Sequence, residues 1–207
     1  MTLQELEAKL NSLEGEIRQL KDIEEIKNLQ KIYGFYLERW QYDDITDLFS
    51  DDPETSVEIS NEGVYVGKKS IREFFSSLAK NPPPEFLHVM MQINGVVHID
   101  AGGKTAKGRW YGFGCLALPI QGVTKALFSN GVYEDEYIKE NGKWKFKKLH
   151  WNRIFLTPYE DGWVKTPVLG GQLSEKEKKS DQPTTVYKPY PSGYVAPFHF
   201  KHPITGK

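Results

Sequence analysis

Three consecutive prolines, Pro82-Pro83-Pro84, divide this sequence into two kinds of pattern, and the division constrains the fold more than any other feature. No helix runs through them, because proline lacks an N–H donor and disfavours helical geometry in the residue before it. Ahead of them the apolar residues recur at helical spacing; behind them come four strand-like segments, Phe86 to Ile99, Thr105 to Leu118, Lys125 to Lys139 and Lys143 to Leu156. The last two are joined by Glu140-Asn141-Gly142-Lys143, a strong hairpin turn signal. Helices first and long strands later predict an α+β domain, with a curved antiparallel sheet forming a cone around the N-terminal helices.

The amino terminus has its own period. Leu3, Leu6, Leu10, Leu13, Ile17 and Leu20 fill the a and d positions of a heptad frame, and polar residues fill most of the rest. Residues 1–22 therefore read as a coiled-coil-like helix, pairing with a second copy or packing on their own domain. Asp22 is a plausible cap before a second helical segment through Ile23, Ile26, Leu29 and Ile32. Residues 23–157 form the α+β domain, with a short helix, the strand Ser56 to Ser60, a hairpin arm and a further helix ahead of the prolines. Residues 158–207 alternate prolines with Tyr187, Tyr190, Tyr194, Phe198 and Phe200, too aromatic for an ordinary disordered tail. An extended arm is expected, laid over its own pocket mouth, over a neighbouring subunit, or as an inert wrap.

Composition excludes several partners. At 207 residues and a formal charge of -1, without a dense basic cluster, the chain offers little to nucleic acid or an anionic membrane. Its single cysteine, Cys115, forbids an intrachain disulfide and reads as a core residue in "FGCLALP". No signal-peptide core and no run of ~20 apolar residues is visible, so a cytoplasmic protein is expected. Gly-rich phosphate loops and nucleophile elbows are absent, and a metal site is not expected, with His88, His98 and His150 the only strand-borne candidates.

The strand after the prolines carries the chemistry. Counting by twos, Val89, Met91, Ile93 and Val97 share one face, which reads as core, while His88, Met90, Gln92, Asn94 and His98 share the other. Imidazole and amide groups between apolar residues suit a pocket wall, or a wetted sheet face. By the same counting Asn130 lies with Phe128 and Val132, and His150 and Asn152 lie with Phe146 and Ile154. Just ahead of the short helix, "QKIYGFYLERWQYDD" crowds Tyr33, Tyr36, Glu38 and Trp40 onto one helix end.

Taken together, "KDIEEIKNLQKIY", "YLERWQYDD", the strand opening with His88 and "KGRWYGFG" resemble the bile acid 7α-dehydratases and, more distantly, the scytalone dehydratases. Both belong to the SnoaL-like branch of the nuclear transport factor 2-like superfamily. The resemblance implies a cone-shaped fold with a deep cavity, a dimer or trimer, and catalysis without metal or organic cofactor. It implies catalytic roles for Tyr33, Glu38 and His88: the acid orients the imidazole, the histidine is general base, and the phenol polarises a substrate oxygen. Tyr36, Trp40, Met90, Gln92, Asn94, Arg109, Tyr111, Asn130, His150 and Asn152 are the expected substrate-binding residues. Two departures stand out. Glu38 replaces the family's aspartate, and Gly114 stands where the bile acid enzymes place a catalytic aspartate. The stretch from His88 to Asp100 is also two residues longer, which implies a bulge or altered loop.

The chemistry agrees with that outline. Imidazole has a pKa suited to a general base, and a phenol can support a developing enolate or leaving-group oxygen. The expected function is a cofactor-independent lyase acting on a bulky hydroxylated aromatic or polycyclic small molecule, by dehydration or retro-aldol loss of a small fragment. An isomerase or cyclase would use the same base, and a non-catalytic binding module is the alternative of a different class. Tyr33 and Glu38 lie five residues apart, roughly 140° around a helix, so both face one cavity only if the helix ends near Leu37.

Overall fold

A computed structural model describes residues 1–78, 82–120, 122–168 and 179–207. Its elements are α1 (Leu3–Leu37), α2 (Tyr42–Asp47), β1 (Ser56–Ile59), β2 (Val64–Val66), α3 (Gly67–Leu78), β3 (Leu87–Ile99), β4 (Thr105–Ile120), β5 (Val123–Glu140), β6 (Lys143–Pro158) and the short α4 (Gly162–Lys165). Six strands form one sheet in the order β2-β1-β6-β5-β4-β3. The fold is the expected α+β cone with one difference: the sheet is mixed, because β1 runs parallel to β6 while every other pair is antiparallel. The helices fill the concave side. Ile26, Leu29, Tyr33 and Leu37 of α1 pack with Phe49, Phe74 and Phe75 against Trp110, Tyr133, Phe146 and Trp151 of the sheet.

α1 is a single helix, without the expected break at Asp22. That residue is buried and accepts hydrogen bonds from Lys139 and from Trp144 Nε1 (3.0 Å), pinning the helix to the β5–β6 hairpin. Asp22 is the first buried position of the helix. Everything ahead of it projects beyond the body, and Leu3, Leu6, Leu10, Leu13, Ile17 and Leu20 stay 45–73% exposed. A Thr2–Glu5 capping box starts the helix.

Register irregularities decide which strand residues face inward, one in β3 and two in β6. In β3 one extra residue lies between the pairs Ile93↔Tyr111 and Val96↔Arg109. Asn94 there takes a left-handed conformation (φ 54°), and beside it Gly95 passes against Trp110, whose ring a Cβ would meet at 1.9 Å. The bulge reverses the alternation. His88, Met90 and Gln92 face inward, but so do Val97 and Ile99, while His98 turns outward. The face expected to be core is the convex one, where Leu87, Met91, Ile93 and Val96 are exposed. In β6 the register slips between Glu136↔Lys148 and Tyr137↔Phe146, so Phe146, Leu149 and Trp151 are buried and His150 and Asn152 lie on the outside.

The C-terminal arm wraps its own chain. Gln182 bridges to Val64, Thr185 donates to Glu58 by its amide (2.7 Å) and hydroxyl (2.6 Å), and the Tyr190 amide donates to the Ile154 carbonyl (2.9 Å) on the open edge of β6. Further on, Ala196 and Pro197 carbonyls accept from Arg109, and Phe198 lies over its guanidinium at 4.4 Å. Among the described residues no helix is long and apolar enough to cross a membrane.

Candidate active site

The site begins where α1 stops. Trp40 adopts φ 49°, left-handed and unusual for an aromatic residue, while the Gln41 amide donates back to Tyr36 (3.0 Å) and the Trp40 amide to Leu37 (3.2 Å). This closes the last turn at Leu37, where the sequence required an ending. It also lays the indole flat on His88, with ring centroids 4.9 Å apart and planes 16° apart. Arg39 supports the partner strand, donating to the carbonyls of Pro82 (2.9 Å) and Phe86 (3.0 Å) and so fixing the start of β3 against the helix end. A strained tryptophan held by stacking at such a junction is the kind of backbone outlier found at working sites.

His88 is the centre of this region. Its Nδ1 is sealed from solvent with no hydrogen-bond partner among the described residues. Burial pulls its pKa down to about 4; the nearby Arg153 charge pushes the same way, and the Leu37 carbonyl opposes them. The imidazole is therefore neutral at pH 7. Among the described residues no carboxylate acts on it, so the expected Glu38–His88 pair is not formed. The reason is positional: Glu38 continues the helical path at the C-cap and stays half-buried, while the carbonyl of Leu37, not a side chain, meets the ring.

Tyr33 lies in the core at 2% exposure, edge-on to Phe75, Tyr133 and Phe146. Its hydroxyl is hydrogen-bonded to that of Tyr133, and burial raises both phenols above their ordinary range. Gln92 joins this group: it approaches the Tyr133 hydroxyl and accepts from Gln30 Nε2 (3.0 Å), whose carbonyl oxygen accepts from Tyr137 (2.7 Å). Met90 is buried beside them, its sulfur 2.2 Å from where a Cβ on Gly114 would stand. A Cβ there would also stand 2.9 Å from the Val89 carbonyl oxygen, so any side chain at Gly114 would require its neighbours to shift.

The structure thus brings Tyr33, Trp40, His88, Met90 and Gln92 together on the concave side, with Tyr36 half-buried at its edge. It does not bring the other expected residues there. Asn94 is exposed in the bulge. Asn130 pairs with Phe113 on the convex face and donates to the Gly112 carbonyl (3.2 Å). Tyr111 is 44% exposed on the same outer face. Arg109 is bonded to Glu134 and to the arm, and His150 and Asn152 lie beneath the arm, His150 Nε2 3.5 Å from Glu58. Cys115 is half-buried opposite Phe128, on the outside. Among the described residues no group of three histidine, cysteine or acidic side chains is placed to hold a metal.

Two inward residues were not anticipated. Arg153, opposite Gly131 beside a second irregularity of β6, lies near His88 and Tyr133 and interacts with the Tyr187 phenol, while its Nε is buried without a partner among the described residues. Burial lowers its pKa. Asp135 is buried at 1% exposure, accepting from the His150 amide (2.9 Å), and burial raises its pKa well above the ordinary carboxylate value. The period-two pattern flagged neither: Arg153 sits among Trp151, Ile154 and Phe155, and that lone cation in an apolar strand was the available signal. Asp135 stands between two other acids, Glu134 and Glu136, and nothing local separates it from them.

Comparison with known proteins agrees with this architecture. The SnoaL-like domain model matches residues 18–150, and the chain belongs to that family, within the nuclear transport factor 2-like superfamily. Among solved structures it is similar to a scytalone dehydratase-like protein of Novosphingobium aromaticivorans, at 15% identity over 75% of this chain and 97% of that one, with a TM-score of 0.59. It is similar to the type 3 hexachlorocyclohexane dehydrochlorinase LinA of Novosphingobium barchaimii, at 18% identity over 69% and 93% of the two chains, with a TM-score of 0.58. A protein of unknown function from Mycobacterium tuberculosis shares the fold at 20% identity over 66% and 74%, with a TM-score of 0.54.

Proposed function

We propose that the chain is a cofactor-independent lyase that removes a proton from a bulky hydroxylated aromatic or polycyclic compound and expels water or another small leaving group. The observation that carries this reading is His88: a neutral imidazole, stacked under Trp40, with a buried ring nitrogen that none of the described residues uses. A base must be unprotonated to act, and burial ensures that here; the weak basicity it brings is offset when negative charge develops on the substrate beside the ring. In the reaction the substrate C–H proton passes to His88, its electron pair forms the new double bond, and the leaving oxygen departs with its bonding pair. The imidazolium returns the proton to that oxygen. The phenol pair Tyr33–Tyr133 and the Arg153 cation stabilise the anionic oxygen formed on the way. Two relatives named for eliminations, the dehydratase-like protein and the dehydrochlorinase, support the reading.

A second reading, isomerisation by the same base, is favoured by Asp135. A carboxyl group that burial biases toward its protonated form, near two phenols, can stabilise an enolate without expelling anything. A screen of phenolic, lignin-derived and steroid-like alcohols for new conjugated absorbance, with product masses, separates the two: elimination lowers the mass by that of the leaving group and isomerisation leaves it unchanged. On whichever compound turns over, His88→Ala and Tyr33→Phe variants retaining full rate would end both readings.

A further inference from the structure

Three buried polar atoms for which the described residues give no close hydrogen-bond partner come from three separate parts of the chain and meet in one place. His88 Nδ1 comes from β3, Arg153 Nε from β6, and the Tyr187 hydroxyl from the C-terminal arm. Arg153 is the hub: its guanidinium is within hydrogen-bonding influence of the Tyr187 phenol and electrostatically coupled to Tyr133 and His88. Among the described residues no carboxylate is paired with it, and Tyr133 is no substitute counter-ion, because burial keeps it a neutral phenol.

A guanidinium whose Nε is buried without an acceptor and without an anion beside it is costly, a cost a fold retains where something arrives to neutralise the charge. The same chain shows the alternative. Arg109 on the convex face is buried, and it is bonded to Glu134, to two arm carbonyls and to the face of Phe198. Arg153 has been given phenols and an imidazole where Arg109 has a carboxylate. Tyr187 reaches it because the arm is anchored on either side, at Thr185 on Glu58 and at Tyr190 on Ile154.

We propose that Arg153 and Tyr187 form a receptor for an anionic oxygen of the substrate, an aromatic carboxylate or phenolate. The guanidinium fork supplies the charge and directed N–H groups, and the arm phenol donates to the same oxygen. The arm is then a wall of the substrate site of its own chain. Because the three atoms are sealed from solvent, that wall opens for the ligand to enter. This inference rests on the concave side being the substrate site, and adds to it the charge of the compound bound there.

The test is binding by the full-length protein, without turnover, measured by calorimetry with two near-isosteric pairs: cinnamate against cinnamamide, and 4-nitrophenolate against nitrobenzene. The anion of at least one pair is expected to bind ten-fold or more tightly than its neutral partner. Arg153→Gln abolishes that preference, and Tyr187→Phe, which removes one oxygen and leaves the ring packed, cuts it three- to ten-fold without changing the neutral compound. Circular dichroism confirms that each variant is folded; should Arg153→Gln fail to fold, Tyr187→Phe decides alone. Equal affinity within both pairs, no binding by either anion, or a preference untouched by the variants would overturn the proposal. The outcome is separable from the lyase reading, since an anion preference with a fully active His88→Ala variant condemns the base and keeps the receptor, and the reverse pattern does the opposite.

Discussion

The two faces of the sheet carry the same kinds of side chain and treat them in opposite ways. On the convex face Arg109, Glu134, His199 and His98 form a closed chain: Arg109 is bonded to Glu134, His199 Nδ1 lies 3.1 Å from Glu134 Oε2, and its Nε2 lies 3.1 Å from His98 Nδ1. The arm roofs them. On the concave face His88 and Arg153 each have a buried nitrogen with no partner among the described residues. Residue type does not separate structural from chemical groups here. The bonding of the cations does: Arg109, paired with Glu134, holds the arm on, and Arg153, with no carboxylate beside it among the described residues, is free to meet a ligand.

Substitutions on the two faces should therefore fail differently. His88→Ala removes the base, and the expected loss in turnover is about 10²- to 10⁴-fold, with the unfolding midpoint in urea little changed. Arg109→Ala leaves Glu134 shielded without its cation and detaches the arm, so a loss of about 2–4 kcal/mol in stability is expected, with faster proteolytic removal of residues after 190. If His88→Ala unfolds the protein, or Arg109→Ala leaves arm and midpoint untouched, the contrast between the faces is wrong.

The pH dependence sharpens the same contrast, because buried groups shifted in opposite directions make opposite contributions. Between about pH 4.5 and 6.5 the unfolded chain holds a proton on His88 and the folded chain does not, so this group makes stability rise with pH, by up to about 2–3 kcal/mol across its shift. The partly buried His150 acts in the same direction. Asp135 does the reverse. Its folded-state pKa is raised, so the folded chain keeps a proton that the unfolded chain has lost, and its contribution falls as pH rises above the ordinary carboxylate range. His88→Gln should lower the slope of unfolding free energy against pH by about one proton in this window, and Asp135→Asn should raise it. Slopes that do not move apart in those directions would show that one of the two groups is not buried as described.

Much of the fold was legible because its signals are local. The triple proline, the Asn141-Gly142 turn and the helix ending at Leu37 each depend on a few neighbouring residues. His88, Met90 and Gln92 were found because they precede the first bulge. Asn94, His98, His150 and Asn152 were misplaced because period-two counting cannot see an inserted residue, and after each bulge the faces exchange. Asn130, Arg109 and Tyr111 failed for another reason: their alternation is regular, but both faces of these strands are partly covered, one by helices and one by the arm, so burial did not reveal which side was inside. Glu38 was assigned from resemblance, and the αR conformation at the helix cap is a backbone property that no motif of side chains encodes.

The smallest expected effect concerns the projecting half of α1, which resembles neither face. Its apolar stripe from Leu3 to Leu20 is exposed. Replacing Leu10 and Leu13 together by glutamate should therefore change the stability of the body by less than about 0.5 kcal/mol, the usual range for surface positions. The reading of this stripe as a seam between copies of the chain predicts one further change. A heptad seam buries its a and d residues only in the assembled state, and two carboxylates placed there repel their counterparts. The species size from light scattering should then drop toward that of one 23.8 kDa chain while His88-dependent turnover is retained. A wild-type protein that is already monomeric at micromolar concentration, or a double variant that keeps its size, would remove the seam and leave the stripe as a feature of the helix alone.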